Sequence, residues 1–167
     1  MAKTSSEVQE GQESEEAREI DISLLEGLAG YNLRRAAARQ RERFRSVFGP
    51  FKIRPVQLTV LTVIMNNMPI RQADLGRALD IKRANVVTLL TELETRGLIV
   101  RQPSANDRRA QVIYLTEKGK QTTEKLLGIH EKLEADLARS FGKKELEELV
   151  RLLRAFRSVD ASPDLGN

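Results

Sequence analysis

The chain has 167 residues, 40% of them hydrophobic but only 4% aromatic, with no Trp, no Cys and one His. That length suits one ordinary domain, and its core must be built from Leu, Ile, Val and Ala, a bias that favours helices over an aromatic-rich β-sandwich. Without Cys there is no disulfide, thiolate chemistry or Cys-ligated metal, and a lone His130 cannot form a histidine metal cluster.

The formal charge of +4 is unevenly spread. Residues 1–19 hold six glutamates against Lys3 and Arg18, so this segment carries −4 and the remainder +8. With almost no large apolar residue, 1–19 reads as a disordered acidic tail. The rest is basic enough to attract a polyanion such as nucleic acid or an anionic surface. No apolar run approaches the roughly 20 residues of a membrane span, and the N-terminus lacks the apolar stretch of a signal peptide. The expectation is a cytoplasmic chain with no membrane partner, no metal and no cofactor.

In chain order, apolar residues first recur at three- and four-residue steps over 22–48, through Ile22, Leu25, Leu28, Leu33, Ala36, Ala37 and Phe44. This predicts one long helix, started by Asp21 or Ser23, weakened at Gly27 and Gly30, and ended by Gly49-Pro50. Pro55 opens a second helix that Asn66-Asn67-Met68-Pro69 stops. A short helix is predicted from about Arg71 to Leu79, a turn at Asp80-Ile81, and a fourth helix from about Arg83 to Arg96, ended by Gly97.

The pattern then changes to β-rich runs at Leu98-Ile99-Val100-Arg101 and Gln111-Val112-Ile113-Tyr114-Leu115, joined by a polar basic stretch. This is a hairpin signal. Thr116 is placed to cap a long helix reaching about Ser140, and Gly142 separates it from a last helix holding Leu146, Leu149, Leu152, Leu153 and Phe156. Two short helices about a tight turn, then a basic hairpin, make a winged helix-turn-helix. A helix 10–12 Å wide fits the DNA major groove, and a basic hairpin can reach the neighbouring minor groove. The fold class expected is mostly α with a small β-hairpin wing.

Two motifs carry a resemblance. Asp107-Arg108-Arg109, followed by Leu115-Thr116-Glu117-Lys118-Gly119, resembles the wing signature of the MarR family of bacterial transcription regulators. Leu93-Glu94-Thr95-Arg96-Gly97-Leu98-Ile99 resembles the end of that family's recognition helix. The resemblance runs from about Leu24 to Phe156 and implies a homodimer joined by its terminal helices. Its expected organisation is an acidic tail over 1–19, an N-terminal helix of the dimerisation region over 20–50, a DNA-binding domain over 51–115, C-terminal dimerisation helices over 116–160 and a flexible end over 161–167.

The resemblance places the recognition helix at 82–96 and implies that Lys82, Arg83, Asn85 and Thr88 face the major groove. Asn85 suits adenine, and Arg83 guanine or a phosphate. Arg108 and Arg109 match the wing tip, with Asp107 orienting Arg109 so that Arg108 is the freer groove contact. Leu115, Thr116 and Gly119 are expected to end the wing and start a helix rather than touch DNA. One departure stands out. Helix starts in the family usually carry Ser or Thr, whereas here Arg54, Arg71 and Lys82 occupy them. A cation there is unfavourable by a few tenths of a kcal/mol or more, and a bound anion reverses the sign. At least Arg71 and Lys82 are therefore expected to meet DNA phosphates.

The first helix is rich in arginine: Arg34, Arg35, Arg39, Arg41, Arg43 and Arg45. It is either a solvated face or an anion-binding surface. The resemblance favours the second reading, since many MarR-type regulators release DNA on binding aromatic carboxylates or their coenzyme A thioesters. It implies an effector site that includes Tyr31, Arg34, Arg35 and Arg39, with Met65 as an apolar contributor or plain core. The function expected is a ligand-responsive repressor, suited to aromatic compound catabolism, that binds a palindromic operator. The alternatives are an effector-independent architectural DNA binder and a helical module that docks an acidic protein. No Gly-rich phosphate loop, metal spacing or catalytic partner for His130 supports an enzyme.

Overall fold

The computed structural model describes residues 20–104 and 111–159. The acidic segment 1–19, the wing-tip residues Asp107, Arg108 and Arg109, and the C-terminus from residue 160 lie outside the described residues. The chain divides into two compact units, Met1–Arg43 and Phe44–Asn167.

In the first unit the single long helix expected over 22–48 is broken. A short helix α1 spans Ser23–Glu26, and α2 spans Ala29–Phe48, its last residues belonging to the second unit. Asp21 starts α1 by accepting from the Ser23 backbone N–H at 2.9 Å. That bond, joined by one from the Ser23 hydroxyl, holds the Asp21 carboxyl below the ordinary range. The break falls at Gly27, the residue least suited to a helix interior here. The Asn32 amide then donates to the Glu26 carbonyl at 2.7 Å, an acceptor that the interrupted ladder leaves over, and to the Leu28 carbonyl at 3.0 Å, which also accepts from the Asn32 backbone N–H. Ile22, Leu24, Leu25 and Leu28 are exposed.

The second unit holds everything that follows. A 3₁₀ turn, Gly49–Phe51, leads to α3, Pro55–Asn67, with Pro55 at its first position as expected. Then come β1 (Ile70–Arg71), α4 (Gln72–Ala78), α5 (Arg83–Thr95), β2 (Ile99–Pro103), β3 (Gln111–Leu115), α6 (Glu117–Phe141) and α7 (Lys143–Phe156). The strands form one antiparallel sheet in the order β1-β3-β2, with Ile70 opposite Ile113 and Val100 opposite Tyr114. The helix expected from about Arg71 to Leu79 is α4, with Arg71 as its N-cap and Leu79 as its C-cap; β1 is an addition to the expected elements, in which Arg71 pairs with Val112. A two-residue strand is too short to show the alternation that reveals strands in sequence.

The core of this unit is aliphatic. Leu61 and Ile64 of α3, Leu75 of α4, Leu90 and Leu93 of α5, Ile113 of β3 and Leu126 of α6 are all buried. Phe44 and Phe48 stack at 4.2 Å between ring centroids. The end of α5 is a Schellman stop. Gly97 takes φ +68°, its N–H bonds the Glu94 carbonyl at 2.8 Å, and the Leu98 N–H reaches back to Leu93 at 3.0 Å.

Thr116 starts α6 as expected, its hydroxyl oxygen accepting from the Gly119 N–H at 2.9 Å while its own proton goes to the Gly97 carbonyl at 2.7 Å. Gly119 is obligatory, because a Cβ there would lie 1.8 Å from the Leu98 carbonyl oxygen. Gly119→Ala should cost about 3 kcal/mol or more through overpacking against backbone. Gly128 is also inside α6 but has open space around it, so Gly128→Ala should stabilise by about 0.5–1 kcal/mol. Urea unfolding of the two variants checks the contrast; similar midpoints for both would show that α6 does not approach Leu98 so closely.

Candidate nucleic-acid interface

The turn between α4 and α5 is tight. Asp80 takes φ +50°, a left-handed conformation that Asp tolerates better than most side chains, and the Ile81 N–H bonds the Gly76 carbonyl at 2.9 Å. Gly76 is buried, and a Cβ there would stand 3.2 Å from both the Ile81 carbonyl oxygen and a Val86 methyl. This closeness sets α4 against α5. Val86, Leu89, Leu90 and Leu93 face inward, which leaves Lys82, Arg83, Asn85 and Thr88 exposed.

Those four residues divide between two concave surfaces. Arg83 lines an open cleft of about 580 Å³ with Arg71, Gln72, Arg77 and Gln111, between α4, α5 and the start of β3. Lys82, Asn85 and Thr88 line a neighbouring groove with Arg54 and Asp80. The Thr88 hydroxyl donates to the Ala84 carbonyl at 3.2 Å. Arg77 pairs with Asp74 at 2.8 Å, and both side chains are largely exposed.

Arg54, Arg71 and Lys82 occupy the N-cap positions of α3, α4 and α5, and none makes a side-chain cap hydrogen bond. Their circumstances differ. Arg54 donates to the Glu92 carboxylate, whereas the exposed side chains of Arg71 and Lys82 have no hydrogen-bond or ion-pair partner among the described residues.

Further contacts hold α5. From β2, the Arg101 guanidinium donates to the Thr91 hydroxyl at 3.0 Å and lies 3.1 Å from the Glu94 carboxylate. At the helix end, Arg96 donates to the Lys52 and Phe51 carbonyls at 2.9 and 3.1 Å, and Lys118 donates to the Arg96 carbonyl at 2.8 Å. The recognition-helix candidate is thus tied to β2, to the 3₁₀ turn and to the start of α6.

A family model described as "MarR family" matches residues 51–110, the span from the end of the 3₁₀ turn to the residue before β3. A protein of Thauera aromatica described as a putative transcriptional regulatory protein for the hcr operon is 30% identical over 147 residues, covering 87% of this chain and 89% of that protein. The chain belongs to the MarR family of transcriptional regulators. The repressor CouR bound to a 23-mer DNA duplex is 32% identical, with a TM-score of 0.79 over 84% of this chain and 99% of that one. CouR bound to p-coumaroyl-CoA is 30% identical, with a TM-score of 0.76 over 85% and 100%. BpsR of Bordetella bronchiseptica, whose DNA binding is regulated by 6-hydroxynicotinic acid, is 25% identical, with a TM-score of 0.72 over 86% and 100%. The mostly helical chain with its small antiparallel sheet is the winged helix-turn-helix expected of a MarR-type protein.

The family's Leu-Thr-Gly element has a structural task here, because Thr116 and Gly119 join the wing to α6. The residues assigned to an effector fall in both units. Tyr31, Arg34, Arg35 and Arg39 lie on α2 within the first, where Tyr31 is half-buried, the arginines are exposed and Arg39 pairs with Glu42 at 3.4 Å. Met65 lies half-buried on α3 in the second unit. His130 is half-exposed on α6, 3.8 Å from Glu134 and tilted against Phe48.

Sequence reasoning missed Arg77, Gln111, Arg101 and the Arg54–Glu92 pair. The first two join the cleft only because β3 runs beside α4. The last two link residues 10 and 38 positions apart, and the order of charges along a chain gives no pairing over such separations. Among the described residues no group of His, Asp and Glu could hold a metal ion, and no single helix is long and apolar enough to cross a membrane.

Proposed function

We propose that this MarR-family regulator is a repressor that binds an inverted-repeat operator as a homodimer and is released by a small anionic aromatic effector. One observation carries the DNA reading. The exposed face of α5 presents two cations, an amide and a hydroxyl beside an arginine-lined cleft, on a helix braced from several sides. Lys82, Arg83, Asn85 and Thr88 enter the major groove, with Asn85 reading adenine and Arg83 reading guanine or holding a phosphate. Arg71 and Lys82 meet phosphates, and the positive ends of α4 and α5 add to the attraction. Arg108 reaches the minor groove from the wing tip, while Asp107 orients Arg109. Such a protein works in the cytoplasm, where bacterial DNA lies, and performs no catalysis.

The dimer rests on apolar surface that one chain leaves uncovered. In the second unit, Leu149, Leu152, Leu153 and Phe156 of α7 are exposed; in the first, so are Leu24, Leu25 and Leu28. An apolar face of this kind on a terminal helix needs a partner. The effector reading is supported by the exposed arginines of α2 and by two relatives, CouR bound to p-coumaroyl-CoA and BpsR regulated by 6-hydroxynicotinic acid. Tyr31, Arg34, Arg35 and Arg39 supply the anion contacts. The effector lowers DNA affinity by favouring a dimer whose recognition helices no longer match the operator.

Each part has its own measurement. Lys82→Gln should weaken binding to all duplexes and flatten the plot of log K against log salt by about 0.9 for each phosphate left without its cation; an unchanged slope removes Lys82 from the phosphate set. Phe156→Glu should raise the dimer dissociation constant about 30-fold, equivalent to about 2 kcal/mol, in sedimentation equilibrium. Unchanged dimerisation would place the interface elsewhere. Aromatic acids and their coenzyme A thioesters should raise the melting temperature, a ligand at 100 times its dissociation constant adding about 2.7 kcal/mol. Silence from the whole set, with specific DNA binding intact, favours an effector-independent DNA binder.

A further inference from the structure

Glu92 is a carboxylate on the DNA-facing side of the recognition helix. Asn85, Thr88 and Glu92 follow one another at steps of three and four, so they lie along one stripe of α5. A free carboxylate on that stripe would repel the phosphate backbone. It is not free. The Arg54 guanidinium donates to Glu92 Oε2, and Gln57 Nε2 donates to the same oxygen at 2.9 Å. Gln57 is only 4% exposed, and its Oε1 accepts the Arg54 backbone N–H at 3.0 Å. A buried amide thus fixes both partners, unlike the usual surface ion pair between two loose side chains.

Two local penalties are resolved together. Arg54 is a cation at the positive start of α3, and Glu92 is an anion turned towards a polyanion's path. Their pairing neutralises both and commits the Arg54 guanidinium. Yet Arg54 lines the same groove as Lys82, Asn85 and Thr88, where a phosphate strand could compete for it.

We propose that Glu92 is a positioning residue that withholds Arg54 from DNA phosphates, so that the reading face binds duplex of any sequence less tightly than its cations alone would allow. Gln57 holds the carboxylate in place for this purpose. Phosphate contacts raise affinity without reading sequence, so withholding one lowers affinity for the operator and for other DNA alike and leaves discrimination to the base contacts. This inference rests on α5 being the DNA-reading helix.

The test measures salt-dependent binding to a random-sequence duplex of roughly 30 base pairs, a length that leaves room for both half-sites one helical turn apart. Glu92→Gln should free the guanidinium, tighten binding severalfold at low salt and steepen the salt slope by about 0.9 per protomer. Arg54→Gln combined with Glu92→Gln removes both charges and should return the slope to that of the wild type. A Glu92→Gln slope that is unchanged or shallower overturns the proposal. So does a double variant flatter than the wild type, since Arg54 would then already contact phosphate. The double variant decides the matter in this way even if Glu92→Gln alone fails to fold, which circular dichroism reports. A wild-type protein that binds no duplex removes the DNA reading itself, whereas wild-type binding with an unsteepened Glu92→Gln slope removes only this inference.

Discussion

The close approach of α6 to the first residues after α5 is the constraint on which the DNA-binding unit depends. At Gly119 the helix lies so near the Leu98 carbonyl that no Cβ fits. Thr116 fastens the same point from both sides, accepting from Gly119 and donating to Gly97, while its N–H bonds the Leu98 carbonyl at 3.1 Å. The end of the recognition helix, the first strand of the wing and the start of the long helix therefore meet in a few residues. Lys118 and Arg96 extend the junction to the 3₁₀ turn. A movement of α6 therefore has a direct mechanical route to α5.

Charge is arranged around α5 in two ways. Arg54, Arg96 and Arg101 turn towards the protein, onto a carboxylate, main-chain carbonyls, and a hydroxyl and carboxylate respectively. Lys82, Arg83 and Arg71 turn outward. The formal charge counts all six alike, but only the outward set is available to a phosphate backbone. Arg96 and Arg101 each hold two acceptors and Arg54 one carboxylate oxygen, with a planar fork that a lysine ammonium lacks.

The helix starts show the same economy. Neutral caps would stabilise an isolated helix, and the positions of Arg54, Arg71 and Lys82 forgo them. In the free protein only Arg54 has an anion beside it among the described residues. Among the described residues the starts at Arg71 and Lys82 have none, so each leaves a cation beside the positive end of a helix. The exposed apolar face of α7 is a parallel case, unfavourable for one chain alone.

The winged helix-turn-helix was legible in the sequence because its signals are local. Pro55, Gly97, Thr116 and Gly142 sit at the helix boundaries that their backbone chemistry favours, and the runs at Ile99 and Gln111 have the β-rich composition of strands. The outward set of α5 residues followed from its buried row. Only tertiary structure decided that Ile70 and Arg71 add a third strand and that Glu92 belongs to Arg54 and Gln57. The reason is physical. Caps and periodicity act over three or four residues, whereas a strand partner or a counter-ion is chosen by whichever distant segment the packed core brings within about 3 Å.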